Sequence, residues 1–352
     1  TTDKTSFPVA NRNLIINGAM QVAQRGLSST SSGHHSVDRF QVEYLGTDEA
    51  PTQAQVDVSA GTTPYTNGFR KSYRITNGNQ TGGVGASDRI RYRYKFEAQD
   101  IANSGWNFTS ASSFVTLSFW IKSSVAQNFY GSFLTIDGSN QEYSFETGSL
   151  SADTWTKVTK TIPGNSNLTF DNNNENGLDF NLFAFLGTSN TGPTTMNQWA
   201  AFNNSARTPD QTSTWYTTND ATLEITGVQL EVGSVATDFE HLSFGDTLAK
   251  CQRYCCIFSD SGGYGLYVDV DAPSVLSVST SLPVEMRVEP TITMTGSGGT
   301  NNTGFVFNNL NGDPILTAVG KYTINVHRSV SSAGRSYIYL TGTGELTMEA
   351  EL

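Results

Sequence analysis

Arg89-Ile90-Arg91-Tyr92-Arg93-Tyr94-Lys95-Phe96-Glu97 alternates charged and apolar side chains without a break. A period of two sends successive side chains to opposite sides of a strand, so this stretch belongs to a sheet with one packed face and one wet face. The same alternation recurs along the chain. Val115, Leu117, Phe119 and Ile121 interleave with Thr116, Ser118, Trp120 and Lys122, which buries one face and puts Trp120 on the other. Leu178-Asp179-Phe180-Asn181-Leu182 repeats the pattern. Leu223 and Ile225 share one parity, Val228, Leu230 and Val232 the opposite one, and a β-bulge at Gly227 reconciles them. Asn67-Gly68, Asn77-Gly78, Asp137-Gly138 and Asn176-Gly177 supply residues that tolerate positive φ at the connections. Together these segments predict a large antiparallel sandwich over residues 14–242.

One helix interrupts the strands. Ser243-Phe244-Gly245-Asp246 has the spacing of a capping box with Asp in place of Glu, and Leu248, Cys251 and Cys255 then fall on one helical face. A short connecting helix over residues 243–256 is expected. Strand patterns return in residues 265–268, 275–282, 323–326 and 337–340, which predicts a smaller C-terminal β-sandwich over 257–352. Residues 1–13 are polar with no clear period and suit an arm that attaches the protein to a neighbour. The fold class is therefore all-β.

Composition narrows the function. The chain has 352 residues, enough for two ordinary domains, and carries 15% charged residues with a net charge of −11. Nucleic-acid binding needs clustered Lys and Arg, so a phosphate backbone is a poor partner. No apolar run is long enough to cross a membrane, and no basic-then-apolar leader opens the sequence, so a soluble, unprocessed protein without membrane insertion is expected. Cys251, Cys255 and Cys256 lie too close together to staple domains and read as reduced thiols of a protein made in a cytoplasm.

The opening motif is Asn13-Leu14-Ile15-Ile16-Asn17-Gly18-Ala19-Met20-Gln21-Val22-Ala23-Gln24-Arg25-Gly26, followed by Asp38-Arg39-Phe40. The later motifs are Thr226-Gly227-Val228-Gln229-Leu230-Glu231-Val232-Gly233-Ser234, Ala236-Thr237-Asp238-Phe239-Glu240 and Cys251-Gln252-Arg253-Tyr254. In this order, over residues 13–256, they resemble a widespread family of phage tail and tail-fibre proteins. The chain departs from that pattern at Cys255-Cys256, where aromatic residues are expected. The resemblance implies a jelly-roll sandwich similar to carbohydrate-binding modules, carried on virion appendages that are commonly trimeric.

Candidate sites are few. His34-His35 sit beside a Ser/Gly-rich turn and read as a solvated loop, His241 reads as a structural imidazole, and Cys251 behaves as a small hydrophobe. Cys251, Cys255 and Cys256 lack the paired spacing of a zinc site. The run 171–177 has the composition of a calcium loop, but its Gly falls one position late and Leu182 stands where a bidentate Glu belongs. No cofactor is expected beyond a structural calcium that acidic loops could hold. Sugars are recognised by aromatic faces against C–H patches and by amides or carboxylates against hydroxyls. Trp106, Trp199, Trp215 and Tyr216 lie in polar, turn-rich segments with Asn203 and Asp210 nearby, which makes residues 196–220 the expected ligand-facing loop.

The function expected is adhesion: a homotrimeric virion fibre or tail protein, assembled in the host bacterial cytoplasm with other virion proteins, that binds a bacterial surface glycan reversibly and is not an enzyme. Three linked sites would raise avidity without new contacts. A purely architectural virion component, such as a head fibre or decoration protein, is the alternative. A depolymerase would need an ordered pair of carboxylates, and nothing in the sequence orders one.

Overall fold

The computed structural model describes residues 11–259, 265–270, 275–295, 305–307, 315–319, 321, 323–329, 334–340 and 345–352. The chain divides into two compact units, Thr1–Thr247 with Leu352, and Leu248–Glu351.

The first unit is a jelly-roll of two six-stranded sheets. Sheet A comprises β1 (Ser28–Ser29), β3 (Thr52–Asp57), β4 (Lys71–Thr76), β6 (Phe114–Ser123), β9 (Thr156–Pro163) and β12 (Thr222–Val232). Sheet B comprises β2 (Phe40–Leu45), β5 (Arg89–Glu97), β7 (Asn128–Thr135), β8 (Gln141–Ser149), β10 (Asn176–Leu186) and β11 (Trp199–Ala201). The strand orders are β1-β3-β4-β12-β6-β9 and β11-β8-β7-β10-β5-β2. Three one-turn helices punctuate the connections: α1 (Thr63–Thr66), α2 (Ala98–Ala102) and α3 (Thr214–Thr217).

The alternation that decides the fold is realised in β5. Ile90, Tyr92, Tyr94 and Phe96 enter the core between the sheets, where they meet Phe180 and Leu182 of β10 and Leu117, Phe119 and Ile121 of β6. Each fully buried apolar side chain contributes about 2–3 kcal/mol. The arginines of β5 project from the outer face of sheet B. Gly227 is the expected bulge. The β12–β6 register shifts between Thr226 and Gln229, and Gly227 takes φ 62° with the Phe69 ring 2.5 Å from where a Cβ would stand.

The helix α4 (Phe244–Gln252) begins at the expected capping box: Ser243 Oγ accepts from Asp246 N at 3.1 Å and donates to Asp246 Oδ2 at 2.6 Å. It is shorter than the expected 243–256. It ends at Gln252, and Cys255 opens strand β13 (Cys255–Ser259), so Cys255 shares no helical face with Leu248 and Cys251.

Beyond the end of α4, the described strands of the second unit all pair antiparallel. β13 pairs with β21 (Glu345–Glu349), which also pairs with β16 (Thr291–Thr295). A second sheet joins β14 (Gly265–Val270), β20 (Gly334–Leu340) and β17 (Phe305–Phe307), and a third joins β15 (Val275–Ser281), β19 (Thr323–Ser329) and β18 (Ile315–Val319). Of the expected N-terminal arm, residues 1–10 lie outside the described residues. Its described end is bound: the main-chain N–H groups of Asn11 and Asn13 donate to Glu240.

Candidate functional site

Three of the four aromatic residues expected to face a ligand are core residues. Trp215 is fully buried and donates Nε1 to Thr222 O at 3.0 Å. Tyr216 stacks on Phe185 at 4.2 Å and donates its hydroxyl to Asp88 at 2.9 Å. Trp106 packs beside Phe108 and Phe170. Trp199 is half-buried on β11, with Nε1 donating to Pro163 O at 2.7 Å and its ring 5.5 Å from Tyr143. Trp106, Trp215 and Tyr216 have no face left for a sugar, so the expectation fails for them. Polar sequence neighbours misled because the one-turn helix α3 and the loop after α2 carry these rings inward while the residues around them stay wet. Asn203 and Asp210 are exposed, but each is occupied: Asn203 Oδ1 accepts from Ser205 N at 3.1 Å and Asp210 accepts from Tyr130 Oη at 2.9 Å.

On either side of the edge strand β11 the chain reaches the outer face of sheet B: Met196 packs on Tyr130, Phe183 and Leu186, and Gln211 donates to the carbonyls of Phe183 and Ala184. Arg207, buried, places its guanidinium on Glu142 Oε1 at 2.9 and 3.1 Å and over the Phe183 ring at 4.9 Å. Its carbonyl accepts from Ser144 Oγ at 2.7 Å. The same face carries a chain of paired charges. Glu43 accepts from Arg91 and Arg93, and Arg93 reaches on to Asp179 at 2.6 Å. Burial alone would push the Glu43 carboxyl up, but the two guanidiniums outweigh it and hold its pKa at about 2.

One register row crosses this face: Gln41, Arg93, Asn181, Ser132 and Ser144 stand opposite one another on β2, β5, β10, β7 and β8. Asn181 and Ser132 are fully buried, and among the described residues neither amide atom of Asn181 nor the Ser132 hydroxyl has a protein partner; Gln41 Nε2 is likewise unpartnered there. Buried polar groups in this state are satisfied by water. Four of the five residues are buried and Arg93 is half-buried, so the row offers little open surface.

An accessible aromatic surface lies on the outer face of sheet A. Trp120 on β6 is half-buried there and packs with Tyr65, Phe69 and Phe239. Phe69, Phe239 and His241 form a triangle with ring centroids 4.9–5.1 Å apart, and His241 Nε2 lies 2.9 Å from Asn67 O. Lys157 stands opposite Trp120 in the β6–β9 ladder, and Lys122 lies 5.1 Å over the ring of half-buried Trp155. Lys122 also shares Glu224, which is buried, with Arg74 at 3.0 and 2.9 Å. Ser118 and Thr159 continue the ladder as facing hydroxyls. The parity of β6 already exposes Trp120. Trp155, in the turn before β9, was the residue that sequence reasoning passed over.

The remaining candidates are structural. The 171–177 run is tied to α2 and its flanks: Gln99 N donates to Asn173 O, Ala98 N to Glu175 O, and Asp171 N to Asp137 Oδ2. Among the described residues no group of three or more His, Cys, Asp or Glu side chains is placed to hold a metal ion. Cys251, Cys255 and Cys256 are buried free thiols, and burial pushes Cys256 up to about 12.

No family model and no curated protein matches the chain. Its neighbours among solved structures include a phage tailspike domain and carbohydrate-binding modules. The enzymatically active domain of tailspike protein 4 of bacteriophage CBA120 is 11% identical with a TM-score of 0.33, over 63% of this chain and 22% of that one. The family 11 carbohydrate-binding module of Clostridium thermocellum, in complex with a β-1,3-1,4-mixed-linked tetrasaccharide, is 11% identical with a TM-score of 0.27, over 60% of this chain and 98% of the module. A family 30 carbohydrate-binding module is 11% identical with a TM-score of 0.28, over 66% of this chain and 92% of the module. These likenesses are faint, and the jelly-roll assignment rests on the strand order itself.

Proposed function

We propose that the protein is a virion adhesin of a phage, a trimeric fibre or tail subunit that holds a bacterial surface glycan reversibly and breaks no bond in it. The observation that carries this reading is the pair of half-buried tryptophans, Trp120 and Trp155, on one outer face of sheet A beside Lys122, Lys157 and the exposed Thr159. Exposed ring area beside a hydroxyl and flexible cations matches the mixed apolar and polar surface of a sugar. The order of the opening and closing motifs supports the phage origin.

The test is binding of the purified chain to a panel of bacterial polysaccharides, beside Trp120→Ala and Trp155→Ala. Selective binding that falls roughly tenfold in a folded variant supports adhesion through this face. Binding untouched by both substitutions removes the face from the account.

A second reading, a purely architectural virion component, is favoured by one observation: the motif side chains that carry the family resemblance bond inward. Asn13, Asn17, Gln229 and Glu231 all spend their polar atoms on neighbouring backbone or side chains. Full virion decoration together with no glycan binding would select this reading.

A further inference from the structure

The chain as a whole is acidic, with 32 Asp and Glu against 21 Lys and Arg. The outer face of sheet A reverses that balance. Arg70, Arg74, Lys122 and Lys157 share it with the single carboxylate of Glu224 on the rows before the Gly227 bulge. Glu224 is already divided between Arg74 and Lys122. Arg70 stacks 3.9 Å over the Tyr65 ring and donates only to the carbonyls of Tyr65 and Phe69. Lys157 is exposed and has no ion-pair partner among the described residues.

We propose that this face binds an anionic saccharide, with Trp120 and Trp155 taking the sugar faces and Lys157, Lys122 and Arg70 taking its carboxylate or phosphate groups. The inference rests on the adhesin reading and adds the class of ligand. A neutral sugar would leave Lys157 and Arg70 without a carboxylate partner among the described residues, and Lys122 sharing Glu224 with Arg74, whereas an anionic one supplies the charge that the protein omits there. In a molecule of net charge −11, an acidic polymer is repelled by most of the surface. That repulsion, long-ranged at low salt, confines productive encounter to the cationic face.

The experiment is affinity electrophoresis and calorimetry of the full chain against polygalacturonate, its carboxyl-reduced form, a yeast phosphomannan and its dephosphorylated form, at low and high salt. Expected is binding to one or both anionic polymers that is lost on removing the anion and weakened at high salt. Lys157→Glu should weaken it by roughly fivefold or more without changing the melting temperature. Retention by polygalacturonate assigns carboxylates, and retention by phosphomannan assigns phosphates. Equal binding of charged and neutral forms overturns the anionic class while leaving adhesion standing. Binding to none of these, with binding to none of a wider panel of bacterial glycans, sinks both. Anionic binding that survives Lys157→Glu and Trp155→Ala overturns the site. Salt-sensitive self-association abolished by Lys157→Glu, with no polymer bound, makes the face an interface between copies and overturns the proposal.

Discussion

The side-chain carbonyl of Asn13 accepts a hydrogen bond from the main-chain N–H of Leu230 at 3.1 Å, joining residues 217 positions apart. The same amide donates to Val228 O at 3.2 Å, and Leu14 N donates to Leu230 O at 2.9 Å. The opening and closing motifs are thus one structural knot. Gly18 belongs to it: its carbonyl accepts from Val228 N at 2.9 Å, and a Cβ there would stand 2.0 Å from the Val228 carbonyl oxygen.

Asn13→Ala removes bonds to Leu230, Val228 and Ile15 and is expected to destabilise the first unit by about 2 kcal/mol. Gly18→Ala forces a main-chain shift and should cost more than about 3 kcal/mol. Urea denaturation of both variants checks the order. Equal, near-zero losses would mean that the knot contributes little.

Glu43 gives a pH dependence. Its folded pKa of about 2 lies below the ordinary carboxylate value, so its ion pairs with Arg91 and Arg93 stabilise the fold at neutral pH. That contribution is fully present above about pH 5 and is lost as pH falls toward 2. Wild type should lose about 2 kcal/mol more than Glu43→Gln between those limits. Parallel stability curves for the two proteins would contradict the assignment.

Glu224→Gln withdraws the one carboxylate between Arg74 and Lys122, while its amide can still bond the Ser72 hydroxyl that now donates to Glu224 at 2.9 Å. A loss of about 2 kcal/mol is expected, since Glu224 is buried while Arg74 keeps some solvent. Lys157→Gln, at an exposed position on the same face, should leave stability within about 0.5 kcal/mol. Thermal melts of the two variants separate the effects.

Asn181 is expected to be worth little to stability. Its two amide atoms have no protein partner among the described residues, so replacing it by the similarly sized Leu removes a buried polar group that no protein hydrogen bond offsets. Asn181→Leu should be neutral or stabilising by about 1 kcal/mol in urea. A loss above about 2 kcal/mol would show that waters bound there by Asn181 and Ser132 hold the sheet together.

The architecture was legible because its strands each carry one dry face: the alternation in 89–97 and 115–122 predicts β5 and β6 together with their outward residues. The parity switch around Gly227 likewise predicts a bulge that the register shift bears out. The capping box predicts where α4 starts, but its end was not legible, because Cys255 fits a helical face and a strand equally well. The site was harder. Trp106 and Trp215 follow polar turns, and nothing local says that the next bond carries their rings inward. Trp120 was readable from strand parity alone, whereas Trp155 and Lys157 gain meaning only when β9 is placed beside β6. The unpartnered row through Asn181 needs the register of five strands.

The most direct test of the central claim is binding of labelled protein to susceptible bacterial cells before and after mild periodate oxidation, which opens sugar diols and spares most protein. The account predicts that binding falls to background after oxidation and survives protease treatment of the cells. Binding that survives periodate and disappears after protease would contradict it, because the receptor would then be a protein.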